Sequence, residues 1–265
     1  MSMGKVRLDA LIYERGMAES RERAKAIVMG GNIYIGGKKA EKPGMQVEPD
    51  TQIDIRGGPE YVSRGGQKLE KALRFFNLSP EGKICIDCGA STGGFTDCLL
   101  KNGAVLVYAI DVGYGQLAWN IRNDPRVVVM ERTNIRRVIP GMFEIKPEFT
   151  VIDVSFISLA LVLPAVRQLL AEDYDIICLI KPQFEAGREK VGKKGVVKDP
   201  ETHKAVLDKF ANNAAQSGLC LKGLTYSPIK GPEGNIEFFG WLGQYIERIN
   251  IDIGAVVAEA HGALD

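Results

Sequence analysis

Residues 83–101 constrain the fold of this chain more than any other stretch. An apolar run, Lys83-Ile84-Cys85-Ile86, meets the turn Asp87-Cys88-Gly89-Ala90-Ser91-Thr92-Gly93-Gly94, which opens onto a helical pattern from Phe95 to Lys101. A strand, a tight glycine turn and a helix, in that order, make a loop that can hold a nucleotide-type cofactor at one edge of a parallel sheet. Glycines also serve plain backbone geometry, so the turn gains weight from its surroundings. The pattern predicts further strands, giving the set 84–87, 105–110, 127–130, 149–153, 175–180, 219–226 and 235–240, with helical segments between most of them. Such alternation requires an α/β fold whose parallel sheet is covered on both faces. The connection 228–234 is too short for a helical crossover, so the final strand must run antiparallel in a seven-stranded mixed sheet.

A dinucleotide fingerprint requires glycine where Ser91 stands, which disfavours NAD. Asp87 at the start of the turn and Asp111 at the end of Val107-Tyr108-Ala109-Ile110 suit a cofactor with a cationic amino-acid end and a ribose diol. S-adenosylmethionine has both. On that reading Gly89, Ser91, Gly93 and Gly94 let the backbone approach the methionine portion, and Asp111 accepts from the diol. Asn134, just past strand 127–130, is a candidate for the adenine edge, with an ordinary turn residue as the alternative.

The chain has 265 residues, 45% of them hydrophobic and 25% charged, enough for one sizeable domain and a small one. Net charge is only +1, but basic residues cluster: seven Lys or Arg against three Glu between Arg15 and Lys42, and seven basic against four acidic residues over 181–204. Five cysteines, an odd number placed mostly in apolar runs, suit buried thiols in a reducing, cytoplasmic setting. Cys85 and Cys88 form a C-x-x-C, yet His203 and His261 lack paired spacing, so no metal site is expected. The most apolar stretch, Val151 to Val166, contains Asp153 and Pro164 and falls short of the roughly 18 uninterrupted residues of a spanning helix. No membrane partner is expected.

Residues 1–56 read as a separate α+β module. Leu8, Leu11 and Ile12 share a helical face. Ser20 can cap a second helix on which Arg21 and Lys25 share one side, and Asn32-Ile33-Tyr34-Ile35 with Gly36-Gly37 reads as a hairpin. Arg7-Leu8-Asp9, Arg15-Gly16, Ser20-Arg21 with Ala24-Lys25, Gly30 and Lys42-Pro43-Gly44 make this module resemble the S4 RNA-binding domain. The resemblance implies RNA contact through Arg7, Arg15, Arg21, Arg23 and Lys25, cations that bridge phosphates of folded RNA. Residues 57–60 read as a linker, and 61–265 as the second domain.

Asp153 and Lys181 end two of the strands, so both emerge at the sheet edge that carries the cofactor turn. Lys68 lies early in the first helix of that domain, and Glu237 lies in an otherwise apolar final strand. Lys68, Asp153, Lys181 and Glu237 match, in chain order, the Lys-Asp-Lys-Glu tetrad of the FtsJ-like ribose 2′-O-methyltransferases. Ser63-Arg64-Gly65-Gly66-Gln67-Lys68-Leu69, Ile152-Asp153-Val154-Ser155-Phe156-Ile157-Ser158, Ile180-Lys181-Pro182-Gln183-Phe184-Glu185 and Gly234-Asn235-Ile236-Glu237-Phe238 extend the match. With the S4 module in front, the chain resembles the TlyA (hemolysin A) family along nearly its whole length. That resemblance implies a Rossmann-like class I methyltransferase fold and methyl transfer from S-adenosylmethionine to a ribose 2′-hydroxyl of ribosomal RNA, usually at cytidine. Burial and a second cation favour a neutral Lys181 amine, while two carboxylates favour its ammonium, so Lys181 is either a base or a donor that aligns the hydroxyl. Lys193 and Lys194, in a long basic loop at 182–200, are expected to meet RNA backbone. The alternatives are a catalytically inactive ribosome-associated RNA-binding protein and a membrane-active hemolysin.

Overall fold

The computed structural model describes residues 4–18, 20–57, 60–244 and 251–264. Residues 58 and 59 of the expected linker lie outside the described residues, as do 1–3, 19, 245–250 and 265 of the two expected domains. In the N-terminal module, strands Val6–Arg7 (β1), Ile33–Ile35 (β2), Lys38–Lys39 (β3), Gln46–Val47 (β4) and Ile53–Ile55 (β5) accompany helices Leu8–Glu14 (α1) and Arg21–Met29 (α2). Gly36 and Gly37 both have positive φ, +55° and +78°, which gives the β2–β3 hairpin its two-residue turn. α2 starts where Ser20 Oγ accepts from the Arg23 N–H at 3.1 Å, and Ala24 and Val28 then bury with Leu8, Ile12 and Ile33.

The larger unit is a seven-stranded sheet in the order Cys220–Tyr226 (β11), Phe238–Gly243 (β12), Asp175–Ile180 (β10), Phe149–Ile152 (β9), Ile84–Cys88 (β6), Leu106–Ile110 (β7), Val127–Met130 (β8). Strands β6 to β10 pair in parallel, whereas β12 runs antiparallel to both β10 and β11. Side chains alternate between two apolar layers. Ile86, Ile110, Ile152 and Phe238 enter one layer; Cys85, Val107, Val151 and Phe239 enter the other. Helices Arg64–Phe76 (α3), Gly94–Lys101 (α4) and Trp119–Arg122 (α5) supply the second layer. Leu163–Leu169 (α6), Pro200–Gln216 (α8) and Ile253–Leu264 (α9) supply the first, and a short helix, Pro182–Glu185 (α7), follows β10.

The final strand begins at Phe238, three residues later than its sequence pattern suggests. A tight turn at Pro232–Gly234, with Glu233 at φ +59°, occupies the chain first. Glu237 therefore precedes the strand rather than sitting within it, and its carbonyl accepts from the Ser227 N–H at 2.8 Å.

The N-terminal module has its own apolar cluster, which shares no residue with the two layers of the sheet. A fragment spanning 61–265 is expected to unfold in a single cooperative transition with native-like far-UV circular dichroism. A fragment that melts without a transition would show that the module is needed to complete the larger fold.

Candidate active site

The turn after β6 is shaped by what its glycines lack. Gly89 has φ +92°, and a Cβ there would lie 2.4 Å from the Asp153 carbonyl oxygen. A Cβ on Gly94 would lie 2.1 Å from Ser63 Oγ, and one on Gly93 would meet Leu117 and Ile121. The space these three leave open is filled by protein: the end of β9, the start of α3, and the segment leading into α5. Ser91 completes the turn with φ +48°, an uncommon conformation for a residue with a side chain. Its N–H donates to Asp111 Oδ2 at 2.8 Å, and the Gly113 N–H donates to Asp111 Oδ1 at 2.6 Å. A carboxylate has about four acceptor sites, so Asp111 keeps capacity for a diol.

Asp87 departs from the sequence expectation. It is the penultimate residue of β6, fully buried, and lines neither cavity described below. Oδ2 accepts from Thr96 Oγ1 at 2.6 Å, which ties β6 to the first turn of α4, while Oδ1 is buried without a hydrogen bond. Burial, against the opposing Thr96 hydrogen bond, pushes this carboxyl up to about 7.

Two cavities open at the C-terminal edge of the sheet. One, of about 410 Å³, is lined by Gly89, Ser91, Asp111, Asn134 and Asp153, with apolar walls that include Ile110, Val112, Ile135, Val154 and Phe156. The other, of about 310 Å³, gathers all four tetrad residues, Lys68, Asp153, Lys181 and Glu237, beside Arg64, Gly89, Ser91 and Gly94. Gly89, Ser91 and Asp153 belong to both. Asn134 uses its side-chain oxygen to cap a short turn by accepting from the Arg136 N–H at 3.1 Å. Gly93 lines neither of the two.

The tetrad resolves into two ion pairs of different character. Lys68 Nζ donates to Glu237 Oε2 at 2.6 Å, and Glu237 is fully buried. Gly231 makes room for that carboxylate, since a Cβ there would lie 2.1 Å from Oε1. Burial pushes Glu237 up, and the Lys68 ammonium, then that of Lys181, pull it down. Lys181 Nζ lies 2.6 Å from Asp153 Oδ1, outside hydrogen-bonding geometry, and spends a hydrogen bond on Ser155 Oγ at 2.9 Å. Ser155 was not singled out from the sequence, and neither was its neighbour Phe156. Phe156 is 91% exposed with φ +62°, and its ring centroid lies 5.0 Å from that of Phe184. Their signal was position: both directly follow a strand end at the cofactor edge. Glu185 anchors this stretch, accepting from Ser158 Oγ and the Leu159 N–H, each at 2.7 Å.

In the N-terminal module Asp9, fully buried, holds both Arg7, by two hydrogen bonds of 3.0 and 2.7 Å, and Arg21, at 3.5 Å. The Arg7 guanidinium keeps the Asp9 carboxyl below its ordinary value. Arg15 donates to the carbonyls of Thr51 and Pro49, whereas Arg23 stands exposed on α2 beside the half-buried Lys25. Lys193 and Lys194 are exposed on the loop before α8, outside both cavities. Among the described residues no group of three His, Cys, Asp or Glu could hold a metal ion, and no helix is long and apolar enough to cross a membrane.

A seven-stranded sheet closed by an antiparallel strand, with a glycine turn and a Lys-Asp-Lys-Glu cluster at one edge, defines a Rossmann-like methyltransferase. Residues 61–244 match the FtsJ-like methyltransferase family and residues 6–53 match the S4 domain. The chain belongs to the FtsJ-like methyltransferases, in the TlyA (hemolysin A) family. It is 52% identical over its full length, and 97% of the relative's, to YqxC of Bacillus subtilis, described as an rRNA methyltransferase. It is 45% identical, over 92% of each chain, to the 16S/23S rRNA (cytidine-2′-O)-methyltransferase TlyA of Mycobacterium tuberculosis. A solved protein from Streptococcus thermophilus, described as a hemolysin, is 48% identical with a TM-score of 0.75, covering 98% of this chain and 97% of that one.

Because Asp87 binds its proton more tightly when folded than an ordinary carboxyl does, it costs stability as pH rises from about 4 to about 7, and the cost is complete above that. Asp87→Asn keeps an acceptor for Thr96 and escapes the cost. Its melting temperature relative to wild type is expected to climb between pH 4.5 and 7.5 and then level off. A difference that stays flat over that range would overturn the assignment.

Proposed function

We propose that this chain transfers a methyl group from S-adenosylmethionine to a ribose 2′-hydroxyl, that of a cytidine, in ribosomal RNA. The observation that carries this reading is the gathering of Lys68, Asp153, Lys181 and Glu237 in one cavity that shares Gly89, Ser91 and Asp153 with a second, mostly apolar one. The name of the Mycobacterium tuberculosis relative supplies the substrate class. The second cavity fits the donor: Asp111 faces a diol, Asn134 and apolar side chains accept an adenine, and Asp153 lies where the two cavities meet. When bound, S-adenosylmethionine supplies a methyl carbon activated by its sulfonium.

An alcohol is a weak nucleophile at neutral pH, so the protein must hold it in line and take its proton. Lys181 is the group for that task, held from two sides by Asp153 and Ser155. Lys181 would take the proton of the hydroxyl that attacks the methyl, with the Asp153 carboxylate beside it balancing the charge. The Lys68–Glu237 pair acts behind it, fixing α3 against the last hairpin. Phe156, exposed at the rim and backed by Phe184, offers a ring on which the target nucleobase stacks. Arg7, Arg15, Arg21, Arg23 and Lys25 on the S4 module, with Lys193 and Lys194, grip RNA phosphates, and Asp9 sets the direction of Arg7 and Arg21. The work belongs in the cytoplasm, where its RNA substrate is made.

Mass mapping of rRNA from cells with and without the gene tests the reaction. It should reveal one or more cytidines that lose a ribose methyl group without it. Lys181→Ala is expected to lower the single-turnover rate at saturating RNA by about 10²- to 10⁴-fold or more while cofactor affinity stays near wild type. A wild-type rate in that variant would refute the mechanism. Phe156→Ala should weaken RNA binding by about 1–3 kcal/mol, the worth of one stacked base, and leave cofactor titrations unchanged. Equal RNA affinity in variant and wild type would remove Phe156 from the substrate site.

A further inference from the structure

Five cations, Arg188, Lys190, Lys193, Lys194 and Lys198, stand exposed within eleven residues, with Glu189 as the one acidic residue among them. In this run of glycines and lysines only Val197 is buried, yet the run is folded. The Gly192 N–H donates to the Val196 carbonyl at 3.0 Å and the Gly195 N–H to the Gly192 carbonyl at 2.8 Å, which closes a compact turn. A buried amide helps to seat the turn on the protein. Asn235, 2% exposed, donates from Nδ2 to the Gly195 carbonyl at 2.9 Å and accepts at Oδ1 from the Val197 N–H at 3.0 Å. Val197 is pinned further: its side chain is buried, and its carbonyl accepts from His203 Nε2 at 3.2 Å.

We propose that Asn235 is a positioning residue for RNA, registering a preformed basic knuckle at 188–198 against the wall of the active site. It lies two positions before Glu237, whose carboxylate holds Lys68. The same short segment thus fixes one half of the tetrad and the loop that meets the phosphates. The consequence is geometric. Lysines on a loose loop attract RNA at any register, whereas lysines on a seated knuckle hold a phosphate at a set offset from the reacting hydroxyl, with less ordering left to complete on binding. This inference rests on the RNA methyltransferase reading above.

The test uses the full-length chain and rRNA from cells lacking the gene, first confirmed as a substrate of the wild-type protein. If the wild type methylates none of it, the functional reading fails and not this inference. With Asn235→Ala, the log–log salt dependence of RNA affinity is expected to flatten by about one to two units, as if one or two phosphate contacts were lost. KM for RNA should rise while the single-turnover rate at saturating RNA stays within about threefold of wild type. Hydrogen exchange at Val197 should accelerate, with the amides of β12 still protected. In a double-mutant cycle, Asn235→Ala and the paired change Lys193→Ala with Lys194→Ala should be non-additive, because one acts through the other. Additive effects, or a fall in the saturated rate with an unchanged salt slope, would overturn the proposal, since Asn235 would then act through Glu237. If Asn235→Ala does not fold, Asn235→Ser, too short to span both partners, takes its place under the same outcomes.

Discussion

The missing side chain at Gly89 decides where chemistry can happen in this molecule. β6 and β9 are neighbours in the sheet, and just past their ends the backbone of Gly89 passes so close to the Asp153 carbonyl that no Cβ could fit between them. That contact brings the turn and Asp153 to one spot, and both cavities take it as a shared wall. The other two glycines of the turn extend the same logic, one letting α4 meet α3 and one letting it meet the segment before α5. A glycine turn in an α/β edge is usually described by what it offers a cofactor. Here its three glycines are explained by protein atoms pressing on them, and the shape offered to a ligand is a result of that packing.

The two ion pairs divide structure from reaction. Lys68 and Glu237 lie 169 residues apart in sequence, and both are withdrawn from water. Removing one partner of such a pair leaves an uncompensated buried charge, at a cost of about 3–5 kcal/mol, so the pair holds the first helix of the domain to its last hairpin. In the second pair Lys181 is nearly as buried as Lys68, but Asp153 is more open than Glu237, retaining 24% of its side-chain exposure. A carboxylate that still reaches solvent can pass a proton onward, and an amine held by one ion pair and one serine retains N–H capacity for a substrate. With two cations and two carboxylates together, the cluster is close to neutral, which suits it to a site between a sulfonium and an anionic backbone.

Much of this was legible in the sequence. Alternating apolar runs and glycine turns specify a doubly covered sheet because a strand buried on both faces must be apolar throughout, and the short 228–234 connection forces the reversed final strand because no helix fits in it. Asp153 and Lys181 could be singled out because strand ends at one sheet edge converge whatever the intervening loops do, and Lys68 and Glu237 joined them through the tetrad of the family that the chain resembles. The resemblance of the whole chain to a known family was also carried by contiguous phrases.

Tertiary structure decided the rest, because it depends on which atoms meet across long separations. Sequence could not tell that Asp87 faces Thr96 behind the turn rather than a ligand in front of it, since one residue of register along β6 separates the two. Nor could it say that Glu237 stands outside the strand with Gly231 yielding space to it, or how four charges would pair. Ser155 has only its place past a strand end and Asn235 no local signature at all, since their meaning comes from Lys181 and from a loop some forty positions away. The sequence by itself determined the sheet, the edge and the residue types at that edge, all of which follow from local periodicity. Only the folded chain determined the partners, because a hydrogen bond or an ion pair is a matter of a few ångströms that no spacing along the backbone encodes.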